Sequence, residues 1–367
     1  MNILLAPNAL KGSLRAVDFV KIARRVLSKK HGVRGVCLSD GGDGFLDFIH
    51  ALYPNAKKKY VLCKNAFLKP TRAPFLLLNE KKTAFLETAQ ICGLGNLSKK
   101  ELDILHASSY GVGEVIVKAV QAGAKKIYVG LGGVATSDGG VGMLQACGAV
   151  LISKHKRVLL PGAKPLLNIR QADFSALQKK FKTVQFIGIA DVKNPLLGPK
   201  SSAKVFGPQK GASPAQVNLL DKALAAWARA IKKETGKNIS HLPGTAAAGA
   251  IAAGLVGGFG AELISGLQFL TEKTHLEKWT AQADLIITAE GKLDKQTFYG
   301  KAPLALLKLA KKYKKPVLFI CGQLDEKCLK NEPLAPTQIA VLTDFAASPE
   351  RAKKHAAKLV RRVLNNL

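Results

Sequence analysis

The sequence contains no run of about 18 consecutive apolar residues, the minimum for a membrane-spanning helix. Its start, MNILLAPNAL, has no basic flank ahead of the apolar residues, so it is typical of a first strand rather than of a signal peptide. Neither low-complexity linkers nor repeats of about 20–50 residues are present. With 367 residues, of which 47% are apolar, we expect two globular domains in a soluble, cytoplasmic protein without a membrane partner.

Metal and disulfide patterns are also missing. The six cysteines form no C-x-x-C pair, and the seven histidines form no H-E-x-x-H or other metal-ligand spacing. Since most cysteines lie inside apolar runs, we predict buried free thiols. The sequence has neither a G-x-x-x-x-G-K-[ST] phosphate loop nor the set of protein-kinase motifs, which argues against both of those classes.

Acidic residues are scarce. The 25 Asp and Glu residues face 56 Lys and Arg residues, which gives a formal charge of +31. A positive field of this size attracts anions, and nucleic acid is one such ligand. However, the basic residues are spread along the chain, and no helix-turn-helix, zinc-finger or aromatic-plus-basic pattern accompanies them. We therefore predict no specific nucleic-acid partner and expect the field to favour an anionic substrate.

Strand–turn–helix units occur at both ends of the chain. Apolar strands are predicted at 2–6, 33–38, 283–288, 316–321 and 337–342, and helices at 14–29, 45–52, 301–312 and 349–364. This alternation is typical of a parallel α/β sheet. Ser13 is the predicted N-cap of the first helix.

The pattern changes after Pro54, where closely spaced strands at 60–63, 74–78 and 83–89 are predicted to be antiparallel. The predicted fold class is α/β with two α/β domains. One open, parallel-sheet α/β domain comprises 1–54 and 283–367, and an inserted mixed-sheet α/β domain comprises 55–282. The small residues of 244–260 predict a helix packed closely under a ligand site or against another helix.

Several turns share glycine, acidic residues and lysine between a strand and a helix. They lie at 8–13, 39–44, 130–140, 191–196, 205–212 and 288–301. Such turns direct backbone N–H groups towards an anion, and the carboxyl ends of parallel strands share one edge of a sheet. The structural alternatives stay open, with Asp138 as a helix cap and Asp191 as a turn acid bound to backbone amides.

In chain order, these turns resemble motifs of the bacterial glycerate kinase family of type I. The matching segments are APNALKGS (6–13), SDGGDGF (39–45), SSYGVGEVI (108–116), GGVATSDGG (132–140), ADVKNPL (190–196), VFGPQKGA (205–212), GTAAAGA (244–250) and ITAEGKLDKQTFYGK (287–301). The resemblance implies ATP-dependent phosphorylation of D-glycerate to 2- or 3-phosphoglycerate with Mg²⁺, in organic-acid metabolism. It also implies a flavodoxin-like domain with an inserted α/β domain. The family's Asp is Asn8 here, and its Ser is Val134, which we expect to remove a hydroxyl from the anion-binding turn.

The candidate site residues follow from these turns and from the resemblance. Asp191 is the predicted general base, because an acid at a strand end beside an anion site can reach a hydroxyl. Lys11 and Lys210 are predicted to offset anionic charge, and either Asp40 or Asp294 is predicted to hold Mg²⁺. The candidate substrate- and phosphate-binding residues are Asn8, Ser13, Asp40, Gly41, Gly42, Ser108, Ser109, Gly132, Gly133, Thr136, Asp138, Glu290 and Lys301.

The expected partners are D-glycerate and ATP, and a homodimer is compatible with the sequence. Two alternative functions stay open. One is a kinase of a related hydroxy acid, such as a larger aldonic acid. The other is a non-catalytic basic protein that binds an anion or nucleic acid on the same scaffold.

Overall fold

The computed structural model describes residues 1–10, 12–39, 41–95, 97–298, 302–330 and 332–367. The chain divides into two compact units. Unit 1 comprises Met1–Asp40, Asp47–Pro54 and Ser265–Leu367, and unit 2 comprises Gly41–Leu46 and Asn55–Ile264. The sequence places the domain boundaries after residues 54 and 282, whereas residues 265–282 lie in unit 1 and residues 41–46 in unit 2.

The strands of the described chain are β1 (Asn2–Leu5), β2 (Gly32–Gly35), β3 (Lys57–Lys64), β4 (Pro70–Leu78), β5 (Thr83–Glu87), β6 (Lys126–Gly130), β7 (Val150–Ser153), β8 (Ile169–Asp173), β9 (Gln185–Ile189), β10 (Glu262–Ile264), β11 (Leu285–Leu293), β12 (Val317–Leu324) and β13 (Gln338–Val341). The α-helices are α1 (Ala16–Leu27), α2 (Phe45–Leu52), α3 (Ala89–Cys92), α4 (Tyr110–Gln121), α5 (Val141–Cys147), α6 (Ser175–Phe181), α7 (Ser202–Phe206), α8 (Pro214–Thr235), α9 (Ala247–Phe259), α10 (Gly266–Lys273), α11 (Leu276–Gln282), α12 (Ala302–Lys312), α13 (Pro349–Lys354) and α14 (Ala356–Leu364).

The sheet of unit 1 has the order β13-β12-β11-β1-β2, and all its neighbouring strands are parallel. Counted along unit 1 alone, this order is 2-1-3-4-5, which is the flavodoxin-like order. The strand order reverses between β1 and β11, and ligands of such sheets bind at the carboxyl ends of strands beside this point. The predicted parallel, flavodoxin-like sheet built from both chain ends is confirmed.

The main sheet of unit 2 has the order β10-β9-β6-β5-β4-β3. The strands β5, β6, β9 and β10 run parallel, while β3, β4 and β5 pair antiparallel, as the sequence predicts for 60–89. The parallel strands therefore end at one edge, here called the carboxyl edge of unit 2. A separate antiparallel pair is formed by β7 and β8. The mixed sheet of the predicted inserted domain is thus confirmed.

The long helix α8 is amphipathic, and its apolar face packs into the core of unit 2. Trp227 of α8 is fully buried, and its indole N–H donates to the carbonyl of Gly139 at 3.0 Å. Its ring packs edge-on against Phe174, with the ring centroids 6.1 Å apart. This contact joins α8 to the end of the loop that follows β6, so packing of the core also supports the predicted glycine-rich segment.

Two local predictions are wrong. Helix α1 begins at Ala16 with Arg15 at its N-cap, so Ser13 does not cap it, and the Ser13 hydroxyl donates to the carbonyl of Lys353 at 2.9 Å. The helix predicted at 349–364 is interrupted at His355, where α13 ends and α14 begins. The short strands β8 and β10 were not predicted, because three to five residues carry little periodicity.

The predicted thiols are confirmed, since all six cysteines are free and buried. Among the described residues, no helix combines the length and the apolar character needed to cross a bilayer.

Candidate active site

Two glycine-rich turns lie at the carboxyl edge of unit 2. We call residues 41–44 the first glycine turn and residues 130–133 the second glycine turn. The second turn follows β6 directly, and the N–H of Leu131 donates to the carbonyl of Ile189 at 2.9 Å. It therefore also reaches the end of β9.

The two turns pack backbone against backbone. A Cβ atom on Gly132 would stand 2.7 Å from the Cα of Gly42, and one on Gly133 would stand 2.6 Å from Oδ1 of Asp43. Gly41 has a φ of +83°, and a Cβ there would stand 2.4 Å from a backbone carbonyl. Only glycine permits these approaches. The structure thus brings together four predicted site glycines from two distant segments.

Glu87, the last residue of β5, holds the first glycine turn. It is 2% exposed, and its carboxylate accepts the N–H of Gly44 at 3.1 Å and the N–H of Leu46 at 2.9 Å. Burial raises the pKa of Glu87 to about 7, and the charge of Asp43 acts in the same direction, whereas the N–H donors oppose the shift. Leu46 lies in the first turn of α2. The Glu87 carboxylate therefore also accepts one of the N–H groups that have no partner within that helix.

Thr88, the next residue, holds the second glycine turn. It is fully buried, and its hydroxyl donates to the carbonyl of Gly130 at 2.9 Å and lies 3.2 Å from that of Gly132. The N–H of Gly132 lies 3.3 Å from the same hydroxyl oxygen. Sequence reasoning missed Glu87 and Thr88. The available signal was a single acid at the end of an otherwise apolar strand, TAFLE.

Asp138 joins the starts of two helices. It is fully buried, and its carboxylate accepts from the N–H and hydroxyl of Ser109 at 2.8 and 2.9 Å and from the hydroxyl of Ser108 at 3.3 Å. The N–H groups of Gly140 and Gly142 donate to it at 3.2 and 3.1 Å. Burial raises the pKa of Asp138, although these donors oppose the shift. The N-cap of α5 is Gly140 rather than Asp138, but the Asp138 carboxylate binds N–H groups at the start of that helix.

Lys210 lies behind the loop that links the second glycine turn to α5. It is 4% exposed, and its Nζ donates to the carbonyl of Thr136 and lies 3.4 Å from the hydroxyl of Ser137. Burial lowers the pKa of Lys210 to about 8, although the nearby charge of Asp138 opposes this. The predicted cation is therefore within unit 2, with its charge directed at the backbone of the loop.

Asp191 follows the end of β9 by two residues and is partly buried. It lies at the carboxyl edge of unit 2, where β5 ends in Glu87 and β6 in the second glycine turn. The strand order thus brings the predicted base and the predicted anion-binding turns to one edge.

The two departures from the family pattern have local explanations. Val134 is 2% exposed and belongs to the apolar core of unit 2, where a valine is well accommodated. The side-chain oxygen of Asn8 accepts the N–H of Ala9 at 2.8 Å, and the N–H of Asn8 donates to the carbonyl of Ala289 at 2.9 Å. Asn8 therefore orders the turn after β1 through its own backbone contacts.

A second polar group lies in unit 1 at the end of β11 and in the residues that follow it. The buried hydroxyl of Thr297 donates to Glu290 at 2.8 Å, and the N–H of Asp294 donates to that hydroxyl at 3.3 Å. Nζ of Lys292 lies 4.0 Å from the Asp294 carboxylate. Among the described residues, no group of three potential metal ligands occurs. The predicted site residues Lys11, Asp40 and Lys301 lie outside the described residues.

A small, partly open crevice of about 40 Å³ lies in unit 1 at the carboxyl ends of its strands. Its lining includes the predicted residue Ser13 and Gly322 at the end of β12, with apolar side chains from Leu10, Leu342 and Ala352. The crevice is adjacent to the point where the strand order reverses, which is where parallel α/β sheets bind ligands.

The glycerate kinase family model matches residues 3–367. The chain belongs to the glycerate kinase family. It is 35% identical over 329 residues to the glycerate kinase of Halalkalibacterium halodurans, covering 88% of this chain and 86% of the relative. It is also 35% identical over 330 residues to the glycerate 2-kinase of Escherichia coli K12, covering 89% and 86%. A crystal structure from Salmonella typhimurium LT2, assigned as a glycerate kinase 2, superposes with a TM-score of 0.81 at 32% identity, covering 100% of this chain and 96% of that chain.

Proposed function

We propose that the protein phosphorylates D-glycerate with ATP and forms 2-phosphoglycerate. The observation that carries this proposal is the carboxyl edge of unit 2, where Asp191 and the two glycine turns are positioned by parallel strands. Membership of the glycerate kinase family supports the reaction class. The Escherichia coli relative is a glycerate 2-kinase, which supports the position of phosphorylation.

The acceptor chemistry is assigned to unit 2. The carboxylate of Asp191 takes the proton from the glycerate hydroxyl as the oxygen attacks the γ-phosphorus of ATP. The bond between that oxygen and phosphorus forms, and the bond from phosphorus to the β–γ bridging oxygen breaks, which leaves ADP. The backbone of the glycine turns and the cation of Lys210 stabilise anionic oxygens through fixed charges and dipoles.

The nucleotide is assigned to the carboxyl edge of the sheet in unit 1. The flavodoxin-like strand order and the crevice lined by Leu10, Leu342 and Ala352 support this assignment. Carboxylate oxygens such as those of Glu290 and Asp294 are of the kind that Mg²⁺ prefers, and Asp294 would hold the ion. When bound, Mg²⁺ would neutralise charge on the phosphates of ATP.

The reaction is tested by incubating the protein with D-glycerate and Mg-ATP and recording the proton-coupled ³¹P spectrum of the product. A phosphate on C2 couples to one proton and gives a doublet, whereas a phosphate on C3 couples to two and gives a triplet. A doublet is expected. A triplet would overturn the assigned position, and the absence of turnover with D-glycerate would overturn the proposed function.

The role of Asp191 is tested by Asp191→Asn. The amide cannot accept the hydroxyl proton, so we expect kcat to fall by about 10²–10⁴-fold, with the thermal midpoint of unfolding close to that of the wild type. Asp173→Asn is the control, because Asp173 lies at the end of β8, outside the six-stranded sheet. Near-normal kcat for Asp191→Asn would assign the base to another residue.

A further inference from the structure

The pair Glu87-Thr88 contacts both glycine turns from one strand end. Glu87 ends β5, and Thr88 follows in the helical region (φ −61°, ψ −31°) at the start of α3. Glu87 binds the N–H groups of Gly44 and Leu46, while Thr88 binds the backbone of the second glycine turn. One dipeptide thus holds two segments that are about ninety residues apart in the sequence.

The two turns are in direct contact. A Cβ on Gly130 would stand 2.6 Å from the carbonyl oxygen of Gly41 and 2.7 Å from the ring of Phe45. Together with the approach of Gly132 to Gly42, these contacts leave no room for a side chain between the turns. Displacement of one turn would therefore be transmitted to its neighbour.

A buried carboxylate is a costly way to stabilise a fold. Removing Glu87 from water opposes its ionisation, and an apolar side chain of similar volume would avoid that cost. Its hydrogen bonds go to the turn that carries the exposed Asp43 and to α2, rather than to a neighbouring strand. This arrangement favours geometric control of the turn over a contribution to stability.

We propose that Glu87 and Thr88 are positioning residues that hold the two glycine turns as one rigid surface for the acceptor substrate. This inference rests on the proposed function, in which that surface binds D-glycerate. Neither side chain needs to contact the substrate. Their role is to keep Asp43 and the turn backbone in the geometry that phosphoryl transfer requires.

The test uses Glu87→Gln and the pair Thr88→Val and Thr88→Ser in the full chain. Gln keeps the volume of Glu but offers a single acceptor oxygen, Val keeps the shape of Thr without the hydroxyl, and Ser keeps the hydroxyl. We expect Glu87→Gln and Thr88→Val to lower kcat/KM for D-glycerate by about 10²-fold, the effect of a displacement of roughly 1 Å. KM for ATP should stay at the wild-type value, and Thr88→Ser should restore activity.

Amide hydrogen exchange supplies a readout that does not depend on turnover. In Glu87→Gln, the N–H groups of Gly44 and Leu46 should exchange faster than in the wild type, while the thermal midpoint changes little. The control is Glu234→Gln, because Glu234 also accepts a backbone N–H, that of Phe174 at 3.0 Å, but does not contact either turn. This variant should keep the wild-type kinetics.

The outcomes separate the inference from the proposed function. Wild-type kinetics and exchange in Glu87→Gln and Thr88→Val would overturn the positioning role, and so would losses no larger than those of Glu234→Gln. If Glu87→Gln does not fold, the comparison of Thr88→Val with Thr88→Ser decides. A wild-type protein without D-glycerate turnover would overturn the proposed function, and exchange alone would then decide whether the pair holds the turns.

Discussion

Three buried ionisable side chains of unit 2 differ in how well their charges are compensated. Asp138 accepts from five donors and Glu87 from three. Lys210 has only a carbonyl and a hydroxyl as acceptors, and within the part of the chain that the structure describes no carboxylate pairs with it. An ammonium group without a paired anion is costly to bury. This explains why the pKa of Lys210 is lowered to about 8.

Lys210→Met should therefore change how stability depends on pH. In the wild type, the folded-state pKa of about 8 lies below the ordinary value of 10.5. Between these values the unfolded chain binds more protons, so the free energy of unfolding rises with pH across this window. The contribution is fully present above about pH 10.5, is lost as the pH falls through about 8, and amounts to about 3 kcal/mol. Met lacks it.

The measurement is urea unfolding of the wild type and of Lys210→Met across this pH range. The difference in unfolding free energy between the two proteins should change with pH. The control is the exposed Lys233 of α8, because Lys233→Met should give a difference that stays flat. A flat difference for Lys210→Met would contradict the assigned burial cost.

At the scale of elements, α9 combines a predicted packing role with an unpredicted backbone. Its glycines allow close packing, since a Cβ on Gly254 would stand 2.9 Å from the Cα of Gly140. This agrees with the helix predicted at 244–260. Near its start, however, Ala248, Gly249 and Ala250 have φ values of 52°, 61° and 64°. Left-handed alanine is unfavourable by about 1–2 kcal/mol per residue.

The left-handed backbone of residues 248–250 allows a close contact with the loop before α5. The carbonyl of Gly249 accepts the N–H of Gly139 at 3.2 Å, and its Cα lies so close to Thr136 that a Cβ would stand 1.8 Å from the carbonyl oxygen. The same Cβ would stand 2.9 Å from Nζ of Lys210. The left-handed turn thus lets α9 approach the loop that Lys210 supports.

Ala248→Gly should stabilise the protein by roughly 1 kcal/mol, because glycine adopts the left-handed conformation without the Cβ clash. The matched change is Ala252→Gly in the right-handed part of α9, where glycine should instead destabilise by about 1 kcal/mol. Thermal and urea unfolding of both variants measure the two effects. A loss of stability in Ala248→Gly equal to that in Ala252→Gly would argue against strain at this position.

At the scale of the whole molecule, the dominant property is the formal charge of +31. This is the net charge after all 25 acidic residues are counted, so ion pairs within the chain, such as Lys312 with Glu277 at 2.7 Å, do not reduce it. An excess of positive charge raises the local concentration of anions. Glycerate and ATP are both anionic, so the field should aid their binding.

The KM for D-glycerate should therefore rise with ionic strength. The Debye length falls from about 30 Å at 0.01 M salt to about 8 Å at 0.15 M, so added salt screens the long-range field. Steady-state kinetics in increasing NaCl measure the effect, with sucrose of equal osmolality as the control. A KM that does not change with NaCl would show that the charge has no part in substrate capture.

Strand and helix order and both kinds of sheet could be predicted from the sequence, whereas the anion-binding role of the turns stays a prediction. Apolar periodicity and turn residues such as Gly132 and Asp138 are local signals, and they are read over a few neighbouring positions. Family motifs such as ADVKNPL around Asp191 add the reaction class. The break at His355 was missed because the apolar spacing continues across it.

Only the tertiary structure decided which of these residues meet. Asp138 stood out in the sequence as an acid within a glycine-rich turn. The five donors that bind its carboxylate, however, come from the starts of two helices. Likewise, nothing near Glu87 in the sequence indicates that it binds Gly44. Such contacts join residues tens of positions apart, and they form only when parallel strands end at one edge, so they leave no local pattern. The sequence by itself therefore determined the elements and their chemistry, and packing decided how the second glycine turn, Glu87 and Thr88 come together.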